Sequence, residues 1–309
     1  MNTERRPRAG IRVHDLNVRY PNGAHVVRGI DFAVDGGETV ALVGESGSGK
    51  TTIAHAVLGL LPTKTRVTGR VVLHDDVELD LLHLSPRRWR TIRGRRIGYV
   101  GQNPFASCDP LRSVGHHVAS AWTVHGLHPA PGAVTRALTN LGITDAEQRA
   151  RLHPHQWSGG MLQRASSAGA GALDPDLIIA DEPTSALDAD LARSTLKLLR
   201  DAGAATLLVT HDLSLAEEIA DTIIVLYGGE VMETGAVDEV MKRPRHPYTQ
   251  ALLAAIPRAR KVLPTPLAGS PPDPRRQRAG CAFLDRCPNA TVRCSERPIV
   301  VNGVACHEA

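Results

Sequence analysis

The stretch Gly44-Glu45-Ser46-Gly47-Ser48-Gly49-Lys50-Thr51 constrains this chain more than any other. It fits the pattern Gly-x4-Gly-Lys-Thr with no mismatch. An apolar run at 40–43 precedes it, and Ile53, Ala56, Val57 and Leu60 follow at the spacing of one helical face. Strand, glycine loop and helix in that order form a device for holding phosphate. Glycines let backbone N–H groups turn inward where a Cβ would obstruct them. The helix N-terminus behind them is equivalent to roughly half a positive charge. Lys50 adds a full charge for the β- and γ-phosphates of a nucleotide, and the Thr51 hydroxyl suits Mg2+. Glu45, Ser46, Ser48 and Thr52 are counted with this ATP-binding loop.

Further apolar runs at 97–100, 177–180, 206–210 and 222–226 are continuous rather than alternating, as in strands buried on both faces of a parallel sheet. Helical sequence at 191–200 separates two of them. An α/β domain is therefore expected over roughly residues 10–240. Between about 103 and 172, Gly, Pro, His and Ala dominate and no β-type run occurs, which predicts an inserted helical subdomain. From 243 to 274 prolines accumulate, as in an extended connector.

Two carboxylates, Asp181 and Glu182, follow the run at 177–180. In open α/β sheets ligands bind beyond the carboxyl ends of the strands. Asp181 is then placed to hold Mg2+ and Glu182 to polarise an attacking water, a division that suits phosphoryl transfer. The run at 206–210 ends in His211, expected near the γ-phosphate. Gln102, just past the run at 97–100, is a neutral side chain able to meet both metal and water.

Bulk properties narrow the class. Of 309 residues, 42% are apolar and 22% charged, and 36 basic against 32 acidic side chains leave a net charge of +4. That excess is too small and too dispersed for a nucleic-acid surface. No apolar stretch approaches the roughly 20 residues that cross a bilayer. The first ten residues are polar, with no secretory h-region. A cytoplasmic protein is expected, with other chains supplying any membrane part.

With Ser158-Gly159-Gly160-Met161-Leu162-Gln163 between Gln102 and Asp181, the order of motifs resembles an ABC-type ATPase over residues 11–240. The resemblance implies a P-loop NTPase core of the α/β class, with a small antiparallel β subdomain, the helical insertion and a short C-terminal accessory region. It makes Gln102 the Q-loop residue, Glu182 and His211 catalytic with it, and Asp188 the D-loop acid. Thr51, Gln102 and Asp181 become the Mg2+ ligands, and Tyr20 the ring stacked on adenine. Ser158, Gly159, Gly160 and Gln163 become the signature, a helix start that closes on the ATP of a partner subunit. Two chains, identical or not, are thus needed for two sites. One departure stands out: residues 165–172 are all Ala, Ser or Gly where relatives carry larger apolar side chains. Interior Gly costs roughly 1 kcal/mol against Ala, so a less rigid signature helix is expected.

The tail narrows the resemblance. Arg245-His246-Pro247-Tyr248-Thr249 is similar to the C-terminal text of oligopeptide, dipeptide and nickel importer ATPases, which places residues 241–309 in an extension of that type. Cys281, Cys287, Cys294 and Cys306 are separated by five, six and eleven residues. Four thiolates can hold zinc or an iron–sulfur cluster, and the spacing alone chooses neither. The text around Cys281 and Cys287 resembles tails associated with a [4Fe-4S] cluster, which is favoured, with zinc or free thiols as alternatives. Cys108 is read as incidental.

The leading expectation is an importer ATPase on the cytoplasmic face of the membrane, acting with two permease subunits and an extracellular substrate-binding protein. Peptides are the favoured cargo and nickel or a metal chelate the alternative. A soluble ABC ATPase acting on nucleic acid or ribosomes is the rival of another class. It is disfavoured by the single ATPase region and the absence of a coiled-coil pattern.

Overall fold

The computed structural model describes residues 10–74, 78–184, 189–201, 203–256 and 269–309. The chain begins with β1 (Gly10–Arg19) and β2 (His25–Val34), an antiparallel pair. Ile11 and Val13 point inward, as do Leu16 and Val18. That sequence breaks strict alternation by one residue. The register slips at this point on both neighbouring strands, and Asp15 takes a positive φ of 43°. A β-bulge absorbs the extra residue and returns the apolar side chains to the core.

Next, β3 (Thr39–Val43) leaves this layer and starts a second sheet, followed by α1 (Lys50–Val57). The helix ends earlier than the apolar stripe predicts. Gly59 turns the chain at φ 60°, and Leu60 is 43% exposed. Leu58 is buried in its place. β4 (Arg66–His74) and β5 (Glu78–Asp80) return to the first sheet, whose order is β2-β1-β4-β5, antiparallel throughout. A short α2 (Pro86–Ile92) leads to β6 (Ile97–Val100).

Among the described residues between β6 and the next strand only helices occur: α3 (Val114–Thr123), α4 (Ala133–Asn140), α5 (Ala146–Arg149) and α6 (Gly159–Gly171). They close their own core around Val118, Leu138, Trp157 and Leu162. The small residues of α6 have a packing reason. A Cβ on Gly98 of β6 would meet the Ala170 carbonyl at 2.3 Å, so backbone lies directly on backbone. The Ala/Ser/Gly run therefore allows a close approach of helix to sheet, which larger side chains would prevent.

Then come β7 (Leu177–Asp181), α7 (Ala189–Asp201), β8 (Ala205–Val209), α8 (Leu213–Ile219), β9 (Thr222–Tyr227), β10 (Glu230–Ala236), α9 (Val237–Lys242) and α10 (Pro247–Ala254). The second sheet has the order β10-β9-β3-β8-β7-β6, parallel except for the β10–β9 pair. Every residue of β3, β7 and β8 is buried, as their continuous apolar text predicts. Leu42 pairs with Val209 and Val209 with Asp181, so three strands end at one edge. The functional residues gather there.

The tail folds back on the core. The Arg28 guanidinium donates to the Pro274 and Arg276 carbonyls, and Arg278 and Arg297 both pair with buried Glu230. Backbone bonds from Thr234 to Gly303 and from Ala305 to Met232 stitch the chain end along β10. Phe283 is 1% exposed and sits edge-on to Tyr227 with ring centroids 5.3 Å apart.

Candidate nucleotide site

The glycine loop is shaped by exclusion. Gly44 has φ 148°, and a Cβ there would come within 2.1 Å of the Leu226 carbonyl oxygen. Gly49, left-handed at φ 106°, caps α1 without a side-chain hydrogen bond. The first amides of the helix are consequently not claimed by a capping side chain. Lys50, 7% exposed, donates to the carbonyls of Gly44 at 2.8 Å and Glu45 at 3.1 Å. Burial lowers its pKa, opposed by the negative charges of Glu182, Asp181 and Glu45. A buried ammonium is a strong partner for polyphosphate oxygens, while the neighbouring carboxylates compete for it.

Across the loop, the Thr51 hydroxyl donates to Asp181 at 3.1 Å. Asp181 is 1% exposed, and burial pushes its carboxyl above the ordinary range, partly offset by that hydrogen bond. Glu182, 8% exposed, contacts His211 Nδ1 at 2.7 Å, while the imidazole is mostly in solvent. Glu182 also carries a left-handed φ of 49°, fixed by its N–H donating to Val209 at 2.9 Å. A non-glycine residue there costs of order 1–3 kcal/mol and is found where the fold must aim a side chain. Nothing in the sequence signalled that strain.

A cavity of about 260 Å3 is lined by Val26, Ser46, Gly47, Gly49, Lys50, Thr51, Thr52, Gln102 and Glu182; Asp181 and His211 are not among its lining residues and adjoin it through Thr51 and Glu182. Gln102 thus joins the loop residues, although it lies 50 positions further on. Tyr20 is half-buried at the cavity's flank, its hydroxyl 3.3 Å from that of Thr52. Thr51, Asp181 and Gln102 present the hard oxygen donors that suit Mg2+. Together the groups can hold a triphosphate, neutralise it and set a carboxylate beside an attacking water.

Ser158, Gly159 and Gly160 are not among the residues lining this cavity. Ser158 is exposed and caps α6, its hydroxyl accepting from the Met161 amide at 3.2 Å. Gln163, grouped with them in the sequence, faces inward: it is fully buried and donates to the Gly101 carbonyl at 3.1 Å. It tethers the residue next to Gln102 rather than facing a partner. Asp188 lies outside the described residues.

The cysteine tail departs from expectation. Burial pushes the Cys281 thiol up to about 11, and the Cys294, Cys287 and Cys306 thiols add to that shift, so all four share one lobe. Yet among the described residues no group of three or more His, Cys, Asp or Glu is arranged to hold a metal ion. The expected [4Fe-4S] cluster, and equally the zinc alternative, is not supported by this arrangement. Burial likewise raises the Cys287 thiol. Cys108 lies apart from them, half-buried in the helical region, with its pKa raised by burial. Sequence reasoning missed Arg286, which reaches the glycine loop from this lobe.

Comparison with known proteins agrees with the geometry. Residues 27–185 match the family model for ABC transporters. Residues 232–294 match that for the oligopeptide/dipeptide transporter C-terminal region. The chain is 38% identical to a probable peptide ABC transporter ATP-binding protein of Sinorhizobium fredii, covering 94% of this chain and 91% of the relative. It is 38% identical to the dipeptide transport ATP-binding protein of Bacillus subtilis, over 92% and 88% of the two chains. Against the oligopeptide transport ATP-binding protein of Mycobacterium tuberculosis it is 39% identical, and covers 48% of that longer chain. Among solved structures, a dimeric ATP-binding cassette in a post-hydrolysis state with ADP and Pi superposes with a TM-score of 0.64 at 26% identity, covering 74% of this chain and 98% of that one.

A parallel sheet with a glycine loop and paired acids at one edge defines a P-loop ATPase. This chain belongs to the ABC transporter family and is one of its ATP-hydrolysing subunits. Among the described residues no helix is long and apolar enough to cross a membrane.

Proposed function

We propose that this subunit energises import of di- or oligopeptides. The observation that carries the reading is the C-terminal match at 232–294, because the ATP core alone is common to transporters of every cargo. It works as one of two ATPase subunits, identical or not, on the cytoplasmic face of a pair of membrane permeases, with an extracellular protein delivering the substrate. The nucleotide-binding region takes in residues 11–240, with the helical insertion at about 103–172, and the extension 241–309.

In this reading the loop from Gly44 to Thr51, with Thr52, cradles the phosphates, and Tyr20 stacks on adenine. Mg2+, held by Thr51, Gln102 and Asp181, supplies charge neutralisation when bound. Glu182 takes the proton of the attacking water, and His211 orients that carboxylate and reaches toward the γ-phosphate. Ser158, Gly159 and Gly160 contribute their helix end to ATP held by the other subunit, with Asp188 near that junction. A metal at Cys281, Cys287, Cys294 and Cys306 belongs to this proposal on sequence resemblance. Iron, sulfide and zinc analysis after anaerobic purification tests it, and a metal-free, active chain removes it.

The cargo is tested by isolating the chain with its permeases and binding protein and identifying what that protein retains. Peptides support the reading. Nickel or a metal chelate, with no peptide, overturns it.

A further inference from the structure

The C-terminal lobe reaches the carboxylate of the nucleotide loop through Arg286. Arg286 ends a 3-10 turn at Leu284–Arg286, and its side chain is only 5% exposed. Its two terminal nitrogens meet the two carboxylate oxygens of Glu45 at 2.9 and 3.2 Å, a two-point fork between residues 241 positions apart. Nη1 also donates to the Tyr227 hydroxyl at 3.0 Å. Glu45 is held elsewhere too. Its N–H donates to the Tyr248 hydroxyl at 3.0 Å, and its carbonyl accepts from Lys50. Phe283, three residues before Arg286, packs against both tyrosines with centroids 5.3 Å away.

Glu45 is a liability where it stands. Its carboxylate lies in a loop that receives a polyanion, and its charge is felt at Lys50. An unpaired carboxylate there would repel the phosphates and compete for the lysine. A guanidinium that forks onto both oxygens cancels that charge and fixes the carboxylate's direction.

We propose that Arg286 is a positioning residue of the nucleotide site, which neutralises the Glu45 carboxylate and pins the start of the phosphate loop so that the C-terminal lobe becomes part of the ATP-binding apparatus. The idea rests on reading the Gly44 loop as the ATP cradle. Arg286 touches no phosphate; it acts through Glu45. The Arg286–Glu45 hydrogen bonds also hold the guanidinium's pKa above its ordinary value, so the charge is permanent.

The test is equilibrium binding of MgATP to the full chain, with turnover measured alongside. Lys50→Ala checks the cradle itself; undiminished MgATP binding there would remove the cradle reading and leave Arg286 without a site to serve. Given a working cradle, Arg286→Gln is expected to raise the Kd about tenfold, with a smaller effect on turnover at saturating ATP. Arg286→Lys, which keeps the charge but loses the fork, should fall between. The deciding comparison adds Glu45→Gln: with the carboxylate gone, Arg286→Gln should cost little further affinity. A wild-type Kd in Arg286→Gln overturns the proposal. So does an undiminished loss in the Arg286→Gln/Glu45→Gln double variant, which would make the arginine a mere tail anchor. Should Arg286→Gln alone fail to fold, the Glu45→Gln and double variants decide between the two roles, equal Kd values supporting the idea and a tenfold gap refuting it.

Discussion

Two helix starts in this chain carry glycine and serine, and they are built differently. Gly49 caps α1 without a side-chain bond, and Lys50 sits buried beside the open amides. Ser158 caps α6 with its own hydroxyl, which occupies the Met161 amide, and it lies exposed outside the cavity. On the reading proposed above, the first holds the phosphates within its own chain. The second already satisfies one of its amides and faces solvent, which suits a group that contributes to a site completed elsewhere. Similar composition, with opposite use of the cap, is what the proposed division into a cradle and a lid predicts.

The sharpest break in that comparison is chemical. Glu182→Gln keeps the shape of the α1 site while removing the carboxylate, and turnover should fall by roughly 100-fold or more with MgATP binding retained. Steady-state hydrolysis beside equilibrium binding checks it. Next, Gly44→Ala adds a Cβ that the Leu226 carbonyl does not admit. Both MgATP binding and the thermal midpoint should drop, the latter reflecting strain of order 1–3 kcal/mol. Ser158→Ala removes only the α6 cap, a loss of about 1 kcal/mol that should lower the thermal midpoint by a few degrees and leave MgATP affinity alone.

The smallest effect concerns pH. Burial holds His246, the N-cap of α10, to a pKa of about 4 against 6.5. An unfolded chain binds this proton from pH 6.5 downward while the folded chain does not until about 4. Stability is therefore full above 6.5 and declines as the pH falls toward 4. His246→Asn keeps a capping side chain without the titration, so it should flatten part of that decline in thermal melts. His25, likewise lowered to about 4 by burial and neighbouring arginines, should supply a slope that survives the substitution.

Local text revealed what local spacing encodes. The glycine loop, the strands at 97–100, 177–180, 206–210 and 222–226, and their acids and histidine could all be named in advance, because each is a short pattern with its own chemistry. What stayed hidden depends on distant partners. Glu45 and Arg286 are 241 positions apart. The small residues of α6 make sense only once Gly98 is seen against Ala170. Gln163 looked like part of an exposed motif, and only the packed fold turns it inward to Gly101. Leu60 continued a helical stripe that Gly59 had already ended. The four cysteines fell in one lobe as their clustering suggested, but spacing carries no distances between thiols.

The most direct test of the division between the two helix ends is Ser158→Arg, with MgATP binding and hydrolysis measured on the same preparation. A bulky cation at the α6 cap should leave binding at the α1 site within about twofold of wild type, since the two do not share a cavity. Hydrolysis should collapse, because the completed site lacks its lid. Equal loss of binding and hydrolysis, or turnover that persists, would contradict the account.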